Sequence, residues 1–492
     1  MKKIVSLFLL NAALALNSTA ADWQMVGLSS KVTGVQPMTG LVLWPEEAKK
    51  LYSTYGDAHA LEYSYLAPCK VVKNGEVDGP IEYDWTYLEK ILDDVKSRNH
   101  QAVLRFFYEY PGVPMVDGDS GTTAVPAYIK AQKNYSELFV DVKEDGPTYY
   151  ADWSNKELKR FTKQFYTDFS KRYGKDPRIA FLEVGFGHWS EYHIYNEDGV
   201  DLQLGKNFPS KDYQKEFFQH LSEVMEIPWA ISIDAADDEY TSFATDKALR
   251  KLSFGLFDDS FMHKGHELGS DDGYNEECWN TMGENRWKTG VCGGEISYYS
   301  SSDQKNFTSE KGMYGHTWDE QSDKYHITFM IANDNPSKNK YNNVGRFKEC
   351  SMATGYHFVV TSCKTDGTQT KIVVKNDGVA PLYKDAYFAI GSIRSGESLR
   401  GLLPKESVEV TIDAALECDG NGNALVKPVI ESDYILDTQT IEYDCDIATT
   451  GAEVVKQSAE GGEHQRYTVL GKKVSDDYRG IVVTNGKKVI ER

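Results

Sequence analysis

Several signatures are missing from this 492-residue sequence, and each absence removes a class of chemistry. No Gly-x-Gly-x-x-Gly and no P-loop follows the first strand-like run, which weighs against a nucleotide-binding, doubly wound sheet. No Gly-x-Ser-x-Gly elbow occurs, which disfavours a serine esterase. There is no Cys-x-x-Cys and no His/Cys cluster at zinc spacing, so neither a metal nor a cofactor is expected. There is no basic stripe: 54 basic residues against 74 acidic ones leave a net charge of −20. Such a chain repels nucleic acid and an anionic membrane surface. Past residue 16 no apolar run is long enough to span a bilayer.

What is present begins with an export signal. Lys2 and Lys3 precede an apolar run from Ile4 to Leu16, and Asn17-Ser-Thr-Ala-Ala21 supplies small residues for cleavage. Residues 1–21 therefore read as a secretory signal peptide, too short to be a spanning helix. Export permits disulfides. Of seven cysteines, Cys278/Cys292, Cys350/Cys363 and Cys418/Cys445 are the nearest-neighbour pairs, with Cys69 left over; spacing does not decide the connectivity. His263 and His266 stand near Asp271 and Asp272, and are read as solvated loop residues rather than metal ligands. Aromatics make up 12% of the chain, including 31 Tyr and 9 Trp, which suits sugar stacking and equally suits a secreted β-protein.

From Gly40 to about Asn335, strand-like and helix-like segments alternate. The apolar runs are Gly40–Trp44, Leu61–Leu66, Ala102–Phe107, Ile179–Phe186, Trp229–Asp234, Leu252–Asp258, Gly290–Glu295 and His326–Ala332. Between them, Leu88, Ile91, Leu92 and Val95 mark one helix face. Ser154-Asn-Lys-Glu157 reads as a capping box for a helix with Leu158, Phe161, Phe165 and Phe169 buried, stopped near Gly174. Eight such units predict an α/β fold, a (β/α)8 TIM barrel over residues 22–345. Alternating runs at His357–Thr361, Lys371–Lys375, Ala386–Ile390 and Ser407–Thr411 predict an antiparallel β-sandwich over 346–445. A polar linker, 446–462, leads to a small C-terminal β-unit, 463–492, with a hairpin turning at Asn485-Gly486.

Barrel chemistry collects where strands end. The ionisable residues there are Arg105 and Glu109, then Glu183, His188, Glu191 and His193, then Asp234, then Asp258 and Asp259, then Glu295. Glycoside hydrolysis needs two carboxyl groups across the scissile bond. Glu191 and Glu295 are the expected catalytic pair, and two glycines before Glu295 would let backbone approach a ligand. Trp189, Tyr192, Tyr298 and Tyr299 could stack on sugar. Glu183, lying within its strand, reads as a buried, paired barrel residue, with the role of acid as its alternative; Arg105 would neutralise the carboxylate cluster or hold a catalytic carboxylate ionised; Asp258 and Asp259 could bind hydroxyls or cap a helix.

Resemblances sharpen this. Leu61–Pro68, Tyr83–Glu89 and Val103–Phe106 resemble units two and three of retaining clan-A glycoside hydrolase barrels, including β-galactosidase-like ones. Val184-Gly-Phe-Gly-His-Trp-Ser-Glu191 is similar to the strand-four motif of β-amylases, which implies Glu191 as general acid; His188 and Trp189 replace that family's small residues. Gly187 to His193, Gly255–Ser260, Gly294-Glu295 and Asn376–Tyr383 resemble domain-of-unknown-function family 4832, implying a glycosidase-like barrel ending in a sandwich. Tyr467–Val474 and Gly480–Val489 resemble the sorting segment of Bacteroidota type IX secretion cargo, implying contact with secretion machinery and a cell-surface or extracellular protein. The expectation is a secreted glycoside hydrolase acting on a carbohydrate, with Glu191 as acid/base and Glu295 as nucleophile or base. The alternative is a non-catalytic carbohydrate-binding barrel. The clan-A likeness implies retention of configuration and the β-amylase likeness inversion.

Overall fold

The computed structural model describes residues 22–112, 122–142, 146–193, 202–270, 272–332, 336 and 343–449, together with strand backbone within 466–491. Residues 1–21, where a signal peptide is expected, Asp271, and residues 450–465, which include most of the expected linker 446–462, lie outside the described residues; Asp446 and Ile447 end the strand Tyr443–Ile447. Residues up to Thr449 form one compact unit and those from Thr450 another.

The expected barrel is there. Eight parallel strands close on themselves in chain order: β1 (Gly40–Leu43), β2 (Leu61–Leu66), β3 (Gln101–Phe106), β4 (Ile179–Glu183), β5 (Trp229–Ser232), β6 (Gly255–Phe261), β7 (Gly293–Ile296) and β8 (Phe329–Ile331). Side chains alternate in direction along each strand. Leu41, Leu104, Leu182 and Leu256 pack outward against helix residues such as Leu92, Phe165, Phe169 and Phe217. Val42, Tyr63, Val103, Phe181, Phe257 and Phe329 fill the interior, and that core runs on into the sandwich through Phe358, Val374 and Tyr443.

Three local readings change. β6 starts and ends three residues later than the sequence pattern suggests, which places Asp258 and Asp259 inside the strand. The helix Lys156–Tyr173 is capped by Asn155, whose Oδ1 accepts from Leu158 N at 3.0 Å, while the hydroxyl of Ser154 turns back to Asp152. Glu157 bonds to Arg160 and Tyr128 instead of closing a capping box. The seven cysteines are free thiols. Sequence neighbours such as Cys350 and Cys363 sit on different elements, a helix (Val344–Met352) and a strand (Phe358–Thr365), so nearness along the chain does not align them.

The sandwich has a larger sheet built on Phe358–Thr365, Thr370–Asn376, Ser407–Ile412 and Tyr443–Ile447, and a smaller one of Tyr387–Ile390, Ile393–Arg394 and Val429–Glu431. Its pairs are antiparallel except Phe358–Thr365 with Tyr443–Ile447. The strands Gln24–Met25 and Leu28–Ser30, early in the chain, pair with this larger sheet rather than with the barrel. In the tail, Arg466–Thr468, Lys473–Val474, Gly480–Thr484 and Lys487–Glu491 form an antiparallel sheet. Thr484 pairs with Lys487, which leaves two residues for the hairpin connection; Asn485 and Gly486 themselves lie outside the described residues.

Candidate active site

The interior layer of Tyr63, Val103, Phe181 and Phe257 is followed two residues on by Tyr65, Arg105, Glu183 and Asp259, because alternate strand residues share a face. Arg105 is the hub and has no solvent exposure. Its Nε donates to Glu183 Oε2 at 2.9 Å, and Nη2 pairs with the same oxygen. Tyr63 OH donates to that oxygen at 2.5 Å. Arg105 Nη1 donates to Tyr65 OH at 2.7 Å and pairs with Glu191. Tyr65 OH in turn donates to Glu191 Oε1 at 2.7 Å. On its other side, Nη2 lies 3.7 Å from Glu295 Oε1. The guanidinium also stands over the Phe257 ring, 4.5 Å from its centroid. A buried charge network of this kind holds only while its members stay paired; removing one partner of a buried pair costs about 3–5 kcal/mol.

Glu191 arrives on a tight loop after β4. Trp189, Ser190 and Tyr192 all take left-handed backbone angles, φ 53°, 63° and 61°, which non-glycine residues rarely adopt. Strain of this sort is stored at functional sites when neighbours over-determine it. Here Trp189 N donates to Glu109 O at 3.0 Å, Ser190 Oγ to Phe106 O at 2.9 Å, and Tyr192 N to Phe186 O at 2.9 Å. Gly185 admits the fold-back, since a Cβ there would lie 2.1 Å from Ser190 O.

The same loop delivers His193. Its Nε2 lies 2.6 Å from Asp259 Oδ2 and 3.2 Å from Asp234 Oδ2, and its Nδ1 lies 3.9 Å from Glu191 Oε2. Burial opposes the imidazolium, but Asp259 and Asp234 outweigh burial and hold the ring well above its usual pKa. Asp259, although burial works against its charge, is kept below the ordinary carboxylate value by His193. Asp234 is raised, chiefly by burial.

The two glutamates expected to react have unlike surroundings. Glu191 faces the guanidinium and a tyrosine hydroxyl. Glu295 is buried, and its Oε1 has no hydrogen-bond partner among the described residues. Burial, opposed by Arg105 and reinforced by Glu183 and Asp259, pushes its pKa up to about 8. Glu295 is thus held protonated near neutral pH while Glu191 lies against a cation, the kind of unlike surroundings that acid–base chemistry requires.

Among the other residues that the sequence marks for this site, Arg105, Glu183, His193, Asp234 and Asp259 converge with Glu191 and Glu295. Four do not. Glu109 turns behind the loop, where its Oε1 accepts from Ala151 N at 3.1 Å and burial raises its pKa to about 8. His188 is buried with its Nε2 on Tyr150 OH at 2.5 Å. Asp258 points away from the axis, because its neighbour Asp259 points in; it accepts from Asn275 Nδ2 at 2.7 Å and lies 3.3 Å from His266. Burial raises the Asp258 pKa well above its usual value and lowers that of His266 to about 3. Tyr298 is 46% exposed and is not among the residues lining the cavity beside Asp259, whereas Tyr299 is. Trp189 is half-buried, edge-on to His193 with centroids 5.6 Å apart. Tyr192 is buried and offers no stacking face.

The glycines before Glu295 serve the barrel rather than a ligand. A Cβ on Gly293 would lie 2.2 Å from Phe329 O, and one on Gly294 2.0 Å from Asp258 O. Tyr63 and Tyr65 belong to the site without having been marked by residue order; their spacing in Leu61-Glu-Tyr-Ser-Tyr-Leu66 is the available signal, since it puts both on the inner face. His263 is engaged with Asn275 and Gly265 N rather than solvated. Among the described residues, Glu191/His193/Asp259 and His59/Glu62/His100 have donor atoms within 4.8 Å of one another. In each group an arginine, Arg105 or Arg98, already occupies the glutamate, so a cation would meet like charge.

The closed parallel barrel with its polar cluster at the strand ends is a TIM barrel in architecture. Among solved structures it is similar to the β-amylase catalytic domain of Paenibacillus polymyxa, at 10% identity and TM-score 0.38, over 65% of this chain and 99% of that one. It is similar also to endo-glycoceramidase II of Rhodococcus sp., at 9% identity and TM-score 0.39, over 78% and 100%. A glucosidase from Croceicoccus marinus matches at 7% identity and TM-score 0.35, over 80% and 83%. These likenesses concern fold alone. No family model matches the chain, and no curated protein matches it. No helix among the described residues is long and apolar enough to cross a membrane.

Proposed function

We propose that this protein is an exported glycoside hydrolase that cleaves an O-glycosidic bond with Glu191 and Glu295. The observation that carries the reading is that both carboxyl groups flank the buried guanidinium of Arg105 unequally: Glu191 is in direct contact with it, whereas Glu295 Oε1 stands 3.7 Å away and has no hydrogen-bond partner among the described residues. That inequality reverses the roles implied by the β-amylase resemblance. Glu295 is the proton donor to the leaving oxygen, and Glu191 is the ionised group that attacks carbon or activates water.

Activated and unactivated substrates separate the two roles. An aryl glycoside with a good leaving group needs no proton donor. E295Q is therefore expected to lose about 10²–10⁴-fold on native-type glycosides and less than about tenfold on 2,4-dinitrophenyl glycosides. E191Q is expected to lose both. The opposite pattern would return the acid role to Glu191. If the unaltered protein binds glycans but releases no product from any of them, the site is a carbohydrate-binding barrel instead.

Export rests on Lys2, Lys3 and the apolar run to Leu16. The tail sheet is the segment that would contact secretion machinery. Membership of domain-of-unknown-function family 4832 rests on the motifs from Gly187 to Tyr383 and is part of the same proposal.

A further inference from the structure

Beside Glu191, a cavity of about 300 Å³ opens between the loops that follow β4, β5, β6 and β7. Asp234, Asp237 and Asp259 line it, and His193 is the one cationic side chain among its lining residues. Two tyrosine rings stand at its edge, Tyr274 at 48% and Tyr299 at 81% exposure. Tyr192 also lines it; this residue is buried, and its hydroxyl has no hydrogen-bond partner among the described residues. Exposed aromatic faces, an unspent hydroxyl and carboxylate acceptors are the parts that hold a pyranose: the rings cover C–H groups while the polar atoms take hydroxyl or ammonium donors. The charge balance says which pyranose. His193 is already engaged with Asp259 and Asp234, Arg105 acts on Asp259 from behind, and no second cationic side chain is among the lining residues. A carboxylate or sulfate on the sugar would meet like charge in a partly desolvated space, whereas an ammonium would meet opposite charge.

We propose that this cavity is a sugar subsite that selects by charge, taking an amino sugar most tightly, a neutral sugar less so, and excluding an acidic sugar. The proposal rests on the glycosidase reading only for its place beside Glu191; its binding preference stands by itself.

The test is titration calorimetry of the full chain with two matched series: glucose, glucosamine and glucuronic acid, and galactose, galactosamine and galacturonic acid, each as a short oligosaccharide. In at least one series the amine is expected to bind at least tenfold more tightly than the acid, with the neutral sugar between them, and raising the salt concentration should compress the range. D237N, at the exposed rim, is expected to narrow the amine-to-acid ratio several-fold. An acid bound as well as its neutral partner, a ratio unmoved in D237N, or no binding in either series overturns the subsite. Binding with the expected order but no hydrolysis would overturn the catalytic reading and leave the subsite standing; hydrolysis without discrimination would do the reverse.

Discussion

Glu295 and Glu109 share a raised pKa of about 8, both chiefly through burial, yet only one faces the reacting cluster. The consequences differ in sign-defined ways. Each carboxyl stays protonated at neutral pH and ionises as pH rises through about 8. The native state therefore holds protons that the unfolded chain has released above the ordinary value of 4.5. Stability from both groups is full below about 4.5 and is lost as pH rises toward about 8. Of these two carboxyls, only Glu295 belongs to the proposed catalytic pair. The pH profile of kcat/KM on an unactivated glycoside is expected to fall on its alkaline side with an apparent pKa near 8. On dinitrophenyl glycosides E295Q should lack that limb. E109Q should keep the limb and flatten the dependence of melting temperature on pH. A limb that survives in E295Q would place the essential acid elsewhere.

At the scale of elements, β7 matters for how closely it runs to its neighbours. Gly294 has φ +135°, a region closed to side chains, and its missing Cβ makes room for Asp258 O. The main chain of β6 and β7 is thereby brought together, and Glu295 and Asp259 point into one mouth. Gly294→Ala is expected to destabilise the protein by about 2–3 kcal/mol or more, as strain and a backbone clash combine. Gly396→Ala, with open space around the added carbon, is the control and should be close to neutral. Urea midpoints measure both; equal midpoints for G294A and the parent would refute the packing role. The loop from Gly187 to His193 is the other decisive element. Its left-handed residues turn Glu191 and His193 back over the strand ends that carry Arg105 and Asp259.

On the scale of the whole molecule, the chain is two compact units, each pairing its own strands. In the larger unit the barrel core continues into the sandwich, and Leu28–Ser30 near the start of the chain is laced to Tyr443–Ile447 near that unit's end. The smaller unit is the sheet of the tail. If it is an address label, removing residues 463–492 should sharply lower the fraction of protein reaching the medium, while circular dichroism shows the remainder folded. Export at the parent level after truncation would remove that role. Mass spectrometry of the mature N-terminus, expected at Ala21 or Asp22, checks the leading segment.

How much of this is legible in the chain follows from the range of the forces involved. Alternation and helical periodicity are local, so the eight barrel strands, the helix carrying Phe161, Phe165 and Phe169, and most of the sandwich strands can be read from residue order. Glu191, Glu295, Arg105 and His193 can be named because strand ends collect function in a barrel. Direction is different. A three-residue shift in β6 decides that Asp259 faces the mouth and Asp258 the helices, since neighbours on a strand point to opposite sides. The hub of Tyr63, Tyr65, Arg105 and Glu183 joins three strands that are far apart in sequence. The raised pKa of Glu295 exists only because folding buries it beside Glu183 and Asp259. Residue order alone thus determined that there is a barrel and named some of the residues that crowd its mouth. Only the tertiary structure decided which carboxyl holds a proton, because charge states answer to burial and to neighbours that the linear chain does not place.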